Sequence, residues 1–255
     1  MTRILVTGAS SGIGAALARS VAAPGTRLVL WGRDRERLAG VAADCAQAGA
    51  ETALATPDLA DLDAVIAAAA ALPDPMDEAY LCAGLSDIRA ADAVVERLSH
   101  VRDLGLVNYL APALVATRLA EGMVRAGAGR IALIGSHAAF TPLPVAPSYC
   151  ASKAGLAAFA RALRLDLLPR GVGVTLVSPG FVETPMSARL ACAKPGMIGA
   201  DAAAKAIVRA TRRGRGHLVL SPWLLALARL YGLVPDAIAA RLARLVPVSQ
   251  GPRAP

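Results

Sequence analysis

The sequence predicts an α/β fold: a doubly wound parallel sheet between two helix layers, three-layer α/β/α, in a single domain. Three observations predict it. Short apolar runs alternate with helix-length segments along most of the chain, the pattern of repeated βαβ units. Several of those runs are continuously apolar, as strands are when both faces of their sheet are covered. A glycine-rich turn follows the first run and opens the first helical segment.

The elements follow in order. Residues 4–7 read as a strand, 8–14 as a turn, and a helix continues to about residue 22. Residues 27–31 form a second strand and 35–48 a helix. A third strand, 52–56, stops at Pro57, and the Ala-rich helix 62–72 stops at Pro73. Residues 78–82 read as a fourth strand. A long helix is expected over 91–125, with Gly105 as a point where it can divide. Then come a strand at 130–135, a helix at 148–168 and a strand at 173–177. A loop over 178–199 precedes a helix at 201–212 and a short strand at 217–220. No repeat or linker divides the chain, so 1–250 read as one domain and 251–255 as a disordered tail.

Composition narrows the function classes. Of the 255 residues, 55% are hydrophobic and 18% charged, which leaves room for a sizeable core and excludes a disordered chain. A net charge of +8 favours an anionic ligand. Yet Arg209, Arg212, Arg213 and Arg215, the densest basic run, have no aromatics among them, so nucleic acid is not an expected partner. Cys45, Cys82, Cys150 and Cys192 show neither CxxC nor Cys/His spacing. They read as reduced thiols of a cytoplasmic protein without a metal site. The first residues run straight into the glycine turn, so no signal peptide is expected. The apolar stretch 64–72 is too short to span a bilayer.

The turn reads Thr7-Gly8-Ala9-Ser10-Ser11-Gly12-Ile13-Gly14. Glycines there permit positive φ and close approach of a pyrophosphate to a helix N-terminus. A tight turn without ligand is the plainer alternative. Gly8 to Gly12 also spell GxSxG, the nucleophile elbow of serine hydrolases, with Ser10 as nucleophile and Asp166 or Asp201 and His217 as partners. Against that, no earlier strand exists to supply an oxyanion hole. At the end of the second strand an acid would bind a ribose 2′-hydroxyl and an arginine a 2′-phosphate. Gly32 leaves the acidic position empty and Arg33 follows it, which favours NADP(H) over NAD(H), although Asp34 is close by.

Tyr149 and Lys153 lie four residues apart on a predicted helix, so they share a face. A phenol titrates near ~10, too high for efficient proton exchange at neutral pH. A neighbouring ammonium would bring it down. Lys153 is one of only three lysines, with Lys194 and Lys205, and Asn108 is the sole asparagine. Ser136 lies thirteen residues before Tyr149. The alternative for the pair is an ordinary helix with a snorkelling lysine.

Taken together, the TGxxxGxG turn, Asn108 in LVNYLAP, Ser136, the YxxxK of Tyr149 and Lys153, and PGFVET from Pro179 resemble the short-chain dehydrogenase/reductase family. The resemblance runs from Thr2 to about Leu220 and implies a Rossmann-type fold and hydride transfer between a nicotinamide and a carbonyl/secondary-alcohol pair. It implies Tyr149 as general acid, Lys153 as its tuner and ribose anchor, Ser136 as orienter of the substrate oxygen and Asn108 as holder of a relay water. Cofactor contacts are implied for Gly8, Ser10, Ser11, Gly12, Ile13, Gly14, Arg33, Asp58, Leu59, Cys82, Ala83 and Gly84. Tyr149, Lys153, Pro179, Gly180, Val182 and Thr184 complete that set. The family's asparagine after the fourth strand is replaced by Cys82, which lacks the same hydrogen bonds. A dimer or tetramer of identical chains is implied as well. A nucleotide-binding sensor without turnover is the remaining alternative.

Residues 185–200, with Met186, Leu190, Met197 and Ile198, read as a mobile apolar cover over the substrate. The C-terminal segment 222–246 reads as two helices. In the second, Ile238, Leu242 and Leu245 line one face, with Arg241 and Arg244 off it. Such helices cover a pocket, meet another subunit or touch an anionic membrane. His137 and Cys150 read as wall residues beside the catalytic candidates.

Overall fold

The computed structural model describes residues 1–86, 88–89, 93–141, 143–235, 237–238, 241 and 249–251. The second C-terminal helix lies outside these residues but for Ala237, Ile238 and Arg241, and so does the expected tail 251–255 but for Gly251. Seven strands form one parallel sheet: β1 (Thr2–Thr7), β2 (Thr26–Trp31), β3 (Glu51–Ala55), β4 (Glu78–Leu81), β5 (Gly129–Ile134), β6 (Val172–Ser178) and β10 (His217–Val219). Their order across the sheet is β3-β2-β1-β4-β5-β6-β10. The chain winds outward from β1 in one direction, then from β4 in the other. The crevice between the ends of β1 and β4 is therefore the switch point where such sheets take ligands.

Alternation along each strand builds two cores. Ile4, Val6, Leu28 and Leu30 face α1 (Gly12–Val21), α2 (Arg35–Gln47) and α8 (Ala200–Arg212). Leu5, Val29, Trp31 and Leu133 face α3 (Leu62–Ala70), α5 (Ala111–Ala126) and α6 (Pro147–Leu167). With few aromatics, both cores rest on close packing of Ala, Val and Leu.

The long helix expected over 91–125 begins only at Leu98. Upstream, Glu96 turns across to accept hydrogen bonds from the Ser148 backbone N–H and hydroxyl, satisfying the start of α6. From α4 (Leu98–Gly105) the chain passes through a π-helical turn, Leu106–Leu110, into α5 without dividing at Gly105. The expected loop after β6 contains β7 (Val182–Glu183), α7 (Pro185–Ala188), β8 (Leu190–Ala191) and β9 (Ile198–Gly199). Helix α9 (Pro222–Tyr231) and β11 (Ser249–Gln250) follow. No helix of the described residues is long and apolar enough to cross a membrane.

Candidate active site

The glycine turn is constrained at three positions. Gly8 and Gly12 have φ of +68° and +54°, where a side chain is strained. A Cβ on Gly8 would meet the Ala83 backbone at 2.9 Å, and one on Gly14 would lie 2.1 Å from the Gly8 carbonyl oxygen. Thr7 locks the same junction: its hydroxyl accepts from the backbone N–H of Cys82 and of Ala83 at 3.0 and 3.1 Å. The bare turn therefore lies against the end of β4 and opens α1 toward the crevice. That cradle of backbone N–H groups at a helix N-terminus fits a pyrophosphate.

At the end of β2, a Cβ on Gly32 would crowd Ser10 and Leu38 at 3.0 and 3.1 Å, so an acid fits poorly there. Asp34 is already engaged. It caps α2 by accepting from the Arg37 backbone N–H at 2.9 Å and pairs with the Arg37 guanidinium. These bonds hold its carboxyl below the usual range. Arg33 is exposed and has no partner among the described residues. The acid next to the cation is thus bound by Arg37, while the cation stays open to an anion. Asp58 accepts from the Ala60 N–H at 3.0 Å and, with Leu59, lines the same crevice.

Ser136 follows β5 after Gly135 and caps a 3₁₀ turn, His137–Phe140, by accepting from the Ala138 N–H at 3.1 Å. Tyr149 and Lys153 project from the first turns of α6. Lys153 is only 5% exposed, and its ammonium donates to the Ile134 carbonyl at 3.0 Å. Burial pushes Lys153 down to about 8, with Cys82 opposing. Burial pushes the Tyr149 phenol up, while a hydrogen bond with Ser136 pulls it the other way. The sequence predicts a phenol lowered by Lys153; the structure reverses that sign, because desolvation dominates and Lys153 bonds a carbonyl instead. Burial also pushes the Cys82 thiol up to about 12.

Asn108 is fully buried in the π-helical turn. Its amide donates to the Leu85 carbonyl at 2.9 Å and to the Ser152 hydroxyl at 3.2 Å, and its oxygen accepts from the Leu85 N–H at 2.7 Å. All three bonds are internal, which leaves the amide no free donor for the relay water expected of it. Asn108 instead clamps the strand β4 exit. A Cβ on Gly84 would come within 3.2 Å of the Asn108 oxygen and 3.5 Å of the Lys153 ammonium, so Gly84 fits between the two. Ser152, which sequence reasoning passes over, is the link between this clamp and α6.

A cavity of about 1210 Å³ joins these parts. Every predicted cofactor contact lines it, and so do Ser136, Tyr149 and Lys153. Beyond Tyr149 the lining turns apolar, with Leu143, Phe181, Met186, Leu190, Leu224 and Leu227. The first C-terminal helix therefore covers the cavity with one face. Cys150 is not a wall residue: its thiol donates to the Thr141 carbonyl at 3.4 Å. The hydrolase alternative is overturned. His217 pairs with the Ser178 hydroxyl at 2.8 Å on β10, four strands or about 19 Å from the turn that holds Ser10. Asp166 pairs with Arg170.

The model of the short chain dehydrogenase family matches residues 2–194. An uncharacterized oxidoreductase of Mycobacterium tuberculosis is 32% identical over 249 residues, 94% of this chain and 97% of its own length. A short-chain dehydrogenase from Sphingobium yanoikuyae, solved with NADPH, shares 27% identity with a TM-score of 0.77, over 93% of this chain and 98% of that one. A bulky-bulky ketone specific alcohol dehydrogenase from Comamonas testosteroni shares 25% with a TM-score of 0.77, over 93% and 96%. With that fold, that cradle and that serine–tyrosine–lysine wall, the chain belongs to the short-chain dehydrogenase/reductase family and is an NAD(P)-dependent oxidoreductase.

Proposed function

We propose that this oxidoreductase moves a hydride between NADP(H) and the carbonyl/secondary-alcohol pair of a bulky, apolar substrate. The observation that carries the reading is the meeting of Ser136, Tyr149 and Lys153 at the wall of the cavity that the glycine turn and Arg33 also line. Arg33, without a partner among the described residues and beside an Asp34 already paired, supports preference for a 2′-phosphate. The apolar chamber supports a greasy ketone, as does likeness to an enzyme named for bulky ketones.

The nicotinamide, when bound, supplies or accepts the hydride. Residues 8–14 hold the pyrophosphate, and Asp58 and Leu59 flank the adenine side. Cys82 to Gly84 form the wall. Pro179, Gly180, Val182 and Thr184 face the nicotinamide. Ser136 orients the substrate oxygen. Tyr149 donates its phenolic proton to that oxygen in reduction and takes it back in oxidation. Lys153 offers donors to ribose hydroxyls. Asn108 is a positioning residue that holds Gly84 and Ser152 in register. Residues 185–200 and α9 cover the substrate. Cytoplasmic placement is supported by four free thiols, and a homodimer or homotetramer by exposed Val94, Val95, Leu98 and Val101.

The test is a paired oxidation screen of NADPH and NADH against aliphatic, aromatic, thioester and steroid-like ketones. NADPH-dependent turnover of the bulkier apolar members is expected. Arg33→Ala should raise the NADPH KM tenfold or more and leave the NADH KM in place, on the order expected for a lost charge-assisted pair. Equal use of NADH together with an inert Arg33→Ala sinks the cofactor preference.

A further inference from the structure

The segment that covers the cavity is held by a strand from much later in the chain. β11 pairs antiparallel with β8, Ser249 opposite Ala191 and Gln250 opposite Leu190. The Gly251 N–H donates to the Arg189 carbonyl at 2.9 Å. In return the Arg189 guanidinium donates twice to the Gly251 carbonyl, at 3.1 and 2.9 Å.

The Gln250 side chain reaches the other way. Its amide nitrogen donates to the Ser86 carbonyl at 3.1 Å and to the Ser86 hydroxyl at 3.4 Å, 164 positions away in the chain. Its oxygen accepts from the Ile88 N–H at 3.0 Å. A primary amide offers two donors and an acceptor oxygen, and Gln250 spends both donors and its oxygen on this one segment. It bonds the exit of β4 much as the backbone of a neighbouring strand would.

Both partners of this tie are cavity walls. Leu85 and Ser86 line the cavity from the β4 exit, and Leu190 lines it from the cover. Leu85 is already fixed by Asn108 at 2.7 and 2.9 Å. The cover is secured only by two-residue strands on this side, and pairings that short have little stability of their own.

We propose that Gln250 is a positioning residue for substrate binding: through β11 it fastens the cover to the β4 exit and sets the width of the apolar chamber between Leu190 and Ser86. The kinetic consequence rests on the reductase reading above; the mechanical one rests on the hydrogen bonds alone. Releasing the tie widens the chamber without touching Tyr149, Lys153 or the glycine turn. Ketone binding then weakens while the chemical step is retained.

The test compares the full-length wild type with Gln250→Ala and Gln250→Glu. Limited trypsin digestion, followed by mass spectrometry, reads cleavage after Arg189, which Gly251 holds by both backbone and side chain. Gln250→Ala should speed that cleavage about fivefold or more. Its KM for a bulky apolar ketone should rise about fivefold or more, with kcat and NADPH affinity within about twofold. Gln250→Glu separates the tie from general loosening. The new carboxyl still accepts from the Ile88 N–H, but it donates to the Ser86 carbonyl only when protonated. Facing that carbonyl raises its pKa. The KM of Gln250→Glu relative to wild type should therefore fall toward one between about pH 8 and about pH 5.5, while the ratio for Gln250→Ala stays level. Wild-type cleavage after Arg189 in Gln250→Ala, or a Gln250→Glu ratio that ignores pH, overturns the proposal while the reductase reading stands. A wild type that turns over no ketone overturns the reductase reading, and digestion then decides the tie by itself.

Discussion

Tyr149 and Lys153 are the two side chains whose chemistry depends most on burial. Tyr149→Phe keeps the ring and removes the proton, so kcat should fall by about 10²–10⁴ while NADPH affinity holds. Single-turnover reduction with a saturating ketone checks it; a loss under tenfold would assign the proton to another group. Lys153 makes a prediction about stability. Its ammonium loses its proton at about 8 in the fold, against 10.5 ordinarily. Below about 8 the native state bears the cost of burying the charge. Between about 8 and 10.5 the unfolded chain binds more protons than the native one, so this residue's contribution to stability rises with pH. Lys153→Met removes that titration. The unfolding free energy of wild type minus variant should therefore climb from pH 8 to 10, and a flat difference in urea titrations would contradict the burial of a charged lysine. The positions of both residues were legible from the i, i+4 spacing. The sign of the tyrosine shift was not, because it depends on desolvation and on the Ile134 carbonyl that claims the ammonium.

At the scale of elements, the glycine turn and the π-helical turn set the site by different means. The first works by absence of side chains. Gly14→Ala would drive a Cβ to 2.1 Å from the Gly8 carbonyl oxygen, so the turn must open. Loss of NADPH binding and about 2–3 kcal/mol of stability are expected, measured by fluorescence titration and chemical denaturation. The second works through one side chain. Asn108→Ala leaves the Leu85 N–H and carbonyl and the Ser152 hydroxyl without their partner. About 2 kcal/mol of stability should be lost, and kcat should fall as Gly84 and Lys153 shift. Unchanged stability would show that water replaces the amide. The turn was readable because glycine spacing reports backbone conformation directly. The π-helical turn was not, since no local pattern in LVNYL distinguishes it from α-helix. The bond of Glu96 to Ser148, 52 positions away and just ahead of α4, was equally hidden.

At the scale of the whole molecule, the parallel sheet brings both halves of the site to the C-terminal ends of its strands, and the opposite end is tied by a buried polar group. Glu78, 9% exposed on β4, accepts from the buried Tyr80 hydroxyl at 2.7 Å and from Arg212 of α8 at 2.8 Å. The carboxylate thereby joins the sheet to the helix layer behind it. Arg212→Leu leaves Glu78 charged without its cation. Because Arg212 is half exposed, screening limits the loss to about 1–2 kcal/mol. Thermal unfolding would show it, and Glu78→Gln in the same background should recover part of it.

The layered α/β architecture and the glycine cradle were legible in the sequence, from periodicity and from backbone freedom at glycine. The i, i+4 spacing put Tyr149 and Lys153 on one helix face, and Ser136 joined them only through the family resemblance. It took the tertiary structure to show that Asp34 is occupied by Arg37, that both donors of the Asn108 amide go to Leu85 and Ser152, and that His217 lies strands away from Ser10. Each of these depends on which polar groups find partners. Partnering inside a fold is set by segments distant in the chain, which periodicity and spacing do not encode.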